Sequence, residues 1–469
     1  MKADKFISKL NFFGLILFIA LGCVTGALGQ AKNAKKDAKK AEQLSRQAAA
    51  AFVKKDYRSA LETYTQAAEL NPTNPDYRFW KGASHFYLNE YALAIPDLDS
   101  ALSLGYKKPL ELYSIRWRSH YKEKNFDAAL ADVKQGLVLD PNNLDMLQAF
   151  GDISYEKNNF RDAVDAYQKV ALRNPNTAGD LYLYIAKSQA SLGGVPGQIT
   201  AAEEAVKRGT QFLAEAHLII ADGYTKQKNF DGAIDAYLKA ISAKPDMYSA
   251  YENLANLYLG QNRFAEAIDI SRKALRVFPN DGRIYANLSW FYSLADRNED
   301  AIQAAQAGIR FLPENYLAYT NLCRAYNDAN KPEMAIRECN NALKRQPDDG
   351  ETYFYLARAY DLAGKPDEAT KYYKLAVTGM LEKTKGSPNS PDSFYLLGNA
   401  YRADNQFEKA IAAYMKCLEL SPKFVRARYN LAIIQLRQKN KTAALEQYNR
   451  LRELDPELAG KLKVEIDKS

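Results

Sequence analysis

Residues 251–279 read YENLANLYLGQNRFAEAIDISRKALRVFP, residues 285–313 read YANLSWFYSLADRNEDAIQAAQAGIRFLP, and residues 319–347 read YTNLCRAYNDANKPEMAIRECNNALKRQP. The three stretches repeat every 34 residues. Tyr251, Tyr285 and Tyr319 align, as do Leu254, Leu288 and Leu322, and Tyr258, Tyr292 and Tyr326. Ala267, Ala301 and Ala335 follow in phase, and Pro279, Pro313 and Pro347 close the units. Apolar residues three and four apart predict two amphipathic helices per unit. The small alanine lets the helices approach, Leu and Tyr fill the seam, and Pro stops the second helix. One such hairpin cannot bury its apolar face alone, so neighbours must stack.

The pattern resembles the tetratricopeptide repeat, and it recurs in phase from about Ala41 to Leu458. Twelve units are expected: 41–74, 75–108, 110–143, 144–177, 178–213, 214–247, 248–281, 282–315, 316–349, 350–383, 391–424 and 425–458. Position seventeen, where the second helix starts, is aromatic in most (Tyr57, Tyr91, Phe126, Phe160, Phe230, Phe264, Phe407) and Pro in two (Pro332, Pro366). Unit two ends in Tyr106 where Pro is usual, and unit three has Trp117 where Gly is usual. Unit five lacks its closing Pro and turns on Gly193-Gly194-Val195-Pro196-Gly197, where a bend is expected; no Gly-Lys-Ser/Thr follows, so it is no phosphate loop. Thr384 to Pro391 exceeds the period by about seven residues and reads as an exposed loop. Residues 459–469 suit the polar cap a helical stack needs at its end. The fold class is therefore all-α, and the resemblance implies a right-handed α-solenoid of about twelve hairpins forming one elongated domain.

The 469 residues carry a formal charge of +8. Residues 1–29 contribute +2 and residues 30–47 contribute +4, which leaves +2 for the rest. A nucleic-acid groove is not indicated. Lys2, Lys5 and Lys9, the apolar run Phe12–Ile19 and the small-x-small site Ala27-Leu28-Gly29 read as an export signal over 1–29, cleaved between Gly29 and Gln30. Two other readings stay open: a lipid anchor on Cys23, or an uncleaved membrane anchor. Residues 30–40 form a basic lead-in. The Lys- and Ala-rich stretch 31–47 is a solvated helical start or a peripheral contact with an acidic membrane surface. A periplasmic or outer-membrane-associated location is expected.

The resemblance implies that the first helix of each unit lines a concave groove where family members mostly bind peptides or protein segments. Positions two, five or six, nine, and twelve or thirteen face it. Those offsets give a polar set: Asn253, Asn287 and Asn321, each 34 apart, with Asn256, Arg324 and Arg358. An amide offers both donor and acceptor to a peptide backbone, and Arg can fork onto a carboxylate. The column resembles the asparagine ladder of some sugar-transferase superhelices. The carboxylate clamp of chaperone-tail binders is not reproduced, since Glu252, Leu317 and Asn321 stand at its basic positions. A second, aromatic set comprises Phe79, Trp80, Phe86, Tyr87 and Tyr121, either as anchors for a partner or as packing against the first helix.

Catalytic and cofactor chemistry is not expected. His85, His120 and His217 fall in different units, without metal-ligand spacing, and no G-x-S-x-G occurs. Cys323, Cys339 and Cys417 sit at small-residue packing positions and read as buried thiols. In an exported chain a Cys323–Cys339 bridge within unit nine is open, leaving Cys417 odd. The sequence thus points to a non-catalytic exported scaffold for a protein or peptide partner in an envelope complex. The competing reading is a membrane-proximal spacer or self-associating protein.

Overall fold

The computed structural model describes residues 35–174 and 179–469. The stretch 1–29 read as an export signal, its expected Gly29/Gln30 cleavage site and Cys23 lie outside them. The described residues are helices and turns throughout, with no strand. Helix α1 covers residues 35–53, and twenty-four helices follow, α2(Tyr57–Leu70) to α25(Pro456–Lys468).

The described residues fall into two compact units, divided between Gln227 and Lys228. The first holds α1, α2 and α3(Pro75–Tyr87), α4(Tyr91–Ser103), α5(Pro109–Lys122), α6(Phe126–Leu139), α7(Leu144–Glu156), α8(Phe160–Arg173), α9(Gly179–Ser191), α10(Val195–Lys207) and α11(Leu213–Lys226). The second holds α12(Phe230–Ala243), α13(Tyr248–Gly260), α14(Phe264–Val277), α15(Gly282–Leu294), α16(Asn298–Phe311), α17(Tyr316–Asp328), α18(Pro332–Arg345), α19(Gly350–Leu362), α20(Pro366–Gly386), α21(Pro391–Ala403), α22(Phe407–Leu420), α23(Val425–Arg437), α24(Lys441–Leu454) and α25.

Local chemistry starts these helices. Asp56, Asn125 and Asn440 accept backbone N–H bonds in the first turns of α2, α6 and α24; Asn74, Asp281 and Asp349 do so for α3, α15 and α19. Pro lies in the first turn of α3, α5, α18, α20, α21 and α25.

Every hairpin turn places one residue in the left-handed region, in chain order Lys55, Asn89, Lys124, Asn158, Gly193, Lys228, Asn262, Asp296, Asn330, Gly364, Asn405 and Lys439. Asn and Gly suit that conformation; Lys is strained there. Lys55→Gly, Lys124→Gly and Lys439→Gly are each expected to stabilise by about 0.5–1 kcal/mol, additively at such separations. Urea unfolding of the triple variant checks this. Gly193 takes the same position as the rest, and α10 begins two residues later at Val195, so the glycine cluster of unit five is an ordinary turn and not a break. The two units without a closing Pro end their second helix on left-handed Gly105 and Gly209 instead. Tyr106 and Thr210 amides then bond back to the Ala101 and Ala205 carbonyls, a glycine stop in place of a proline one.

The expected loop is shorter than its sequence suggests: Thr384, Lys385 and Gly386 continue α20, and residues 387–390 form the turn. α20 runs 21 residues where its counterparts run 13 or 14, and only a short turn separates Gly386 from α21. Seven added residues make very nearly two helical turns, so the apolar face stays in phase. Met380 and Thr384 remain buried in the extension, and Lys383 pairs with Glu351 at 3.2 Å. Gly350 and Gly379 let α19 and α20 touch at the backbone: a Cβ on Gly379 would sit 2.7 Å from the Gly350 backbone.

Within a hairpin, residues eight and twenty-four of the unit face each other, and their sizes are reciprocal. Gly151 and Gly398 lie so close to the Tyr167 and Tyr414 rings that a Cβ would fall 2.5 Å from them, and Gly82 faces Leu98. Trp117 is opposed by Val133 within one apolar cluster. In unit nine the pair is Cys323 and Cys339, joined as a disulfide with Cα atoms 5.3 Å apart. The reading of these two as buried thiols is therefore corrected, while Cys417 is a free, buried thiol. At the C-terminus, α25 covers the last hairpin with Ala459, Leu462 and Ile466.

Candidate functional site

The polar set lies on α13, α15, α17 and α19 of the second unit, and the structure divides it. Asn253 and Asn256 are exposed on α13, and Asn287 is half-buried on α15. Asn256 and Asn287 face one cleft, whose walls include Tyr248, Glu252, Ile284 and Phe291. Its volume is about 20 Å³, room for a single water, so it suits a surface contact and not an enclosed ligand. Over Tyr248 lies the Arg283 guanidinium, 4.5 Å from the ring centre and ion-paired to Asp281 at 2.7 Å. Burial pushes the Tyr248 hydroxyl up to about 12, with Glu252 adding to the rise, so it remains a neutral donor at neutral pH.

The other three residues are engaged within the protein. Asn321 donates to the Ala286 carbonyl at 2.8 Å and accepts from Arg324 Nη2 at 3.0 Å. Arg324 is only 7% exposed. It lies between the Trp290 and Tyr355 rings, 5.9 and 5.5 Å from their centres, and donates to the Tyr355 hydroxyl at 3.3 Å. Arg358 is paired with Asp328 at 2.8 Å. The ladder's third rung therefore knits α15, α17 and α19 together: Asn327 adds a bond to the Tyr355 carbonyl at 2.9 Å, and Thr320 and Thr352 hydroxyls meet at 2.6 Å. Sequence reasoning passed over Trp290 and Tyr355, although both stand at groove offsets of their own units.

A further contact spans the second unit. Arg426, at the start of α23, donates to the Leu294 carbonyl at the end of α15, 2.8 Å away and 132 residues earlier. The same guanidinium lies 5.7 Å from the Phe264 ring centre. A helix C-terminus carries partial negative charge, so a guanidinium is well matched to it.

The aromatic set, in the first unit, is mostly packing. Phe79 is buried and stacks on Tyr106 at 4.2 Å; Trp80 meets Phe52 edge-on at 5.0 Å and stacks over Tyr64 at 6.4 Å. Phe86 packs on Tyr87 and Tyr91, and Tyr121 on Trp117 and Phe126. Only Tyr87, stacked on Tyr57, presents about half its surface. The rings of Phe52, Tyr57, Tyr64, Trp80 and Tyr87 dock α1 and α2 onto α3.

His85 bonds Glu90 through Nδ1 at 2.7 Å, beside Asp97, which also takes Lys81 at 3.0 Å; this is a structural ion network. Among the described residues no group of His, Cys, Asp and Glu could hold a metal, and no helix is long and apolar enough to cross a membrane.

Comparison with known proteins fits this geometry. Tetratricopeptide repeat models match residues 45–107, 185–248 and 395–459, a second such model matches 224–290, and a third matches 338–371. The chain is 34% identical over 116 residues to serine/threonine-protein phosphatase 5 of Rattus norvegicus, covering 25% of this chain and 23% of that protein. It is 42% identical over 65 residues to small glutamine-rich tetratricopeptide repeat-containing protein 2 of Saccharomyces cerevisiae, 14% and 19% of the two chains. The chain thus spans about a quarter or less of these relatives' length. Among solved structures, yeast Tom70 overlaps 91% of this chain and 96% of its own at 18% identity, with a TM-score of 0.41. MamA overlaps 37% and 95% at 26% identity, with a TM-score of 0.32. With repeat models matching more than half of its residues, and matching them in the helical frame described above, the chain belongs to the tetratricopeptide-repeat family.

Proposed function

We propose that the chain is a non-catalytic scaffold that binds an extended protein segment along the inner helices of its second unit. The observation that carries this reading is the trio Asn253, Asn256 and Asn287. Their amides have no hydrogen-bonding partner among the described residues, whereas Asn321 and Arg324 are engaged in holding α15, α17 and α19 together. An exposed amide column pairs with a peptide backbone whatever its side chains. Relatives such as the Hsp70-Hsp90 organizing protein 2 of Arabidopsis thaliana, 22% identical over 240 residues, lend support to a protein partner.

The proposal extends to location: export, and a role in assembling or organising an envelope complex. The basic, apolar and small-residue succession of residues 1–29 supports export, and so does the Cys323–Cys339 bridge, since such bonds persist in oxidising compartments. Intact-mass analysis of the mature protein should give a chain beginning at Gln30.

A quantitative pull-down from the envelope fraction, with residues 30–469 as bait, tests the groove. The control bait carries Asn253→Ala, Asn256→Ala and Asn287→Ala. Each amide contact is worth about 1 kcal/mol, so the triple variant should bind a groove ligand about a hundredfold more weakly. Equal recovery on both baits would exclude the groove as the working surface. A mass that rises with concentration in light scattering would point to self-association instead.

A further inference from the structure

The inner face of the first unit has a different chemistry. Asp152 stands on α7 at position nine of its unit, the offset that Asn256, Trp290 and Arg324 occupy in theirs. Its carboxylate accepts one hydrogen bond, from the Tyr167 hydroxyl at 2.8 Å. Glu156, one turn further along α7, is exposed. No Lys, Arg or His nitrogen among the described residues lies within 4.0 Å of either carboxylate.

The charged groups on the surrounding helices have other ionic partners. Arg118 on α5 lies over the Trp117 ring and reaches Asp145 at 4.0 Å. Lys187 on α9 pairs with Glu215 at 2.6 Å, and Lys157 pairs with Asp127. Through Tyr167, Asp152 joins a chain of rings. Tyr155 meets Tyr184 edge-on at 5.5 Å, and Tyr184 lies 6.0 Å from Tyr167. Burial, and after it the charges of Glu156 and Asp152, raise the pKa of the Tyr121 hydroxyl on α5. An independent sign of what these rings accept is the chain's own Lys187, whose ammonium rests 5.6 Å from the Tyr184 ring centre.

A half-buried carboxylate with no counter-charge is costly, and burial, with Glu156 beside it, raises the Asp152 pKa. Tyrosine faces attract cations. We propose that α7 and α9 form a receptor for one cationic side chain, Lys or Arg, on an extended protein segment: Asp152 and Glu156 supply the counter-charge, and Tyr155 and Tyr184 the aromatic walls. The site stands independently of the amide groove on the second unit. It also acts against the molecule's net charge of +8, which by itself repels cations.

The test uses fluorescein-labelled hexa-arginine, with hexa-citrulline as its neutral isostere, in fluorescence anisotropy. Salt at about 0.15 M screens charges more than about 8 Å apart. The protein should bind hexa-arginine at least about tenfold more tightly than hexa-citrulline, through a charge pair plus ring contacts. Asp152→Asn keeps an acceptor for Tyr167 and should remove most of that difference. Asp162→Asn, the same charge change on exposed residue 162 of α8, should leave it. Binding should strengthen as pH rises above the ordinary carboxylate range, because Asp152 must lose its proton to receive the cation, and this dependence should be flat in Asp152→Asn. Should Asp152→Asn not fold, Glu156→Gln at the exposed carboxylate gives the same reading, with a loss of about threefold. Equal affinity for the two peptides, or equal effects of the 152 and 162 substitutions, overturns the proposal.

Discussion

Tyr414→Ala is expected to destabilise the second unit by about 3–5 kcal/mol. The ring is fully buried, fills the hairpin of α21 and α22 against Gly398, and has no space into which its neighbours can collapse without moving two helices. Tyr414→Phe keeps the ring and loses the 2.6 Å bond to Asn399 and a long 3.5 Å bond from Asn430, which still holds the Asn399 oxygen, so its cost should be about 1 kcal/mol. The size reciprocity adds a sharper test. Gly398→Trp combined with Tyr414→Val copies the Trp117 and Val133 arrangement of unit three. The double variant should be more stable than the sum of its single changes indicates, by about 1–3 kcal/mol of coupling. Denaturant unfolding of the four proteins measures this. Additive effects would mean that residues eight and twenty-four do not compensate each other.

Opening the Cys323–Cys339 bridge should cost about 3 kcal/mol, the loop entropy of a cross-link closing about 15 residues. The measured separation is 16. Reductant should therefore lower the urea midpoint of the parent protein and leave that of Cys323→Ala/Cys339→Ala unchanged. Cys417 is the internal control. Its thiol is pushed up to about 12, by burial first and then by the charge of Asp392, so it holds its proton at neutral pH. In a chain beginning at Gln30, alkylation without reductant should label no cysteine in the folded state and only Cys417 after unfolding. A second label would show the bridge to be open.

The hairpins were legible because punctuation and periodicity agree in this chain. Aromatic or Pro residues seventeen positions into a unit begin the second helix at Tyr57, Phe126, Phe264, Pro332 and Phe407. What misled the reading after residue 383 was composition. The loop reading holds for residues 387–390 but starts too early, because an insertion of nearly two turns costs a helix nothing in phase and α20 runs on through Thr384, Lys385 and Gly386. The pairing of positions eight and twenty-four went unread because it is a relation between two residues, not a preference at either. Cys323 and Cys339 each fit as small residues; only their joint placement makes a bond. The same limit applies to the groove. The period put Asn253, Asn287 and Asn321 in one column, but whether an amide is open depends on the unit before it, where the Ala286 carbonyl claims Asn321. Asp152 was invisible as a candidate, since a single Asp on a helix carries no sign that the nearby cations pair with other carboxylates.

A stack in which each repeat touches only the next unfolds like a frayed rope, with its ends peeling at the strength of one interface. The Arg426 guanidinium on the Leu294 carbonyl departs from that scheme in the second unit, because it connects the twelfth hairpin to the eighth and, through Phe264, to the seventh. Peeling the last hairpin must also uncap a helix deep in the array. The chain's end is thereby drawn into the cooperative melting of its middle, and the second unit behaves less as a row of independent links than as a clasped loop.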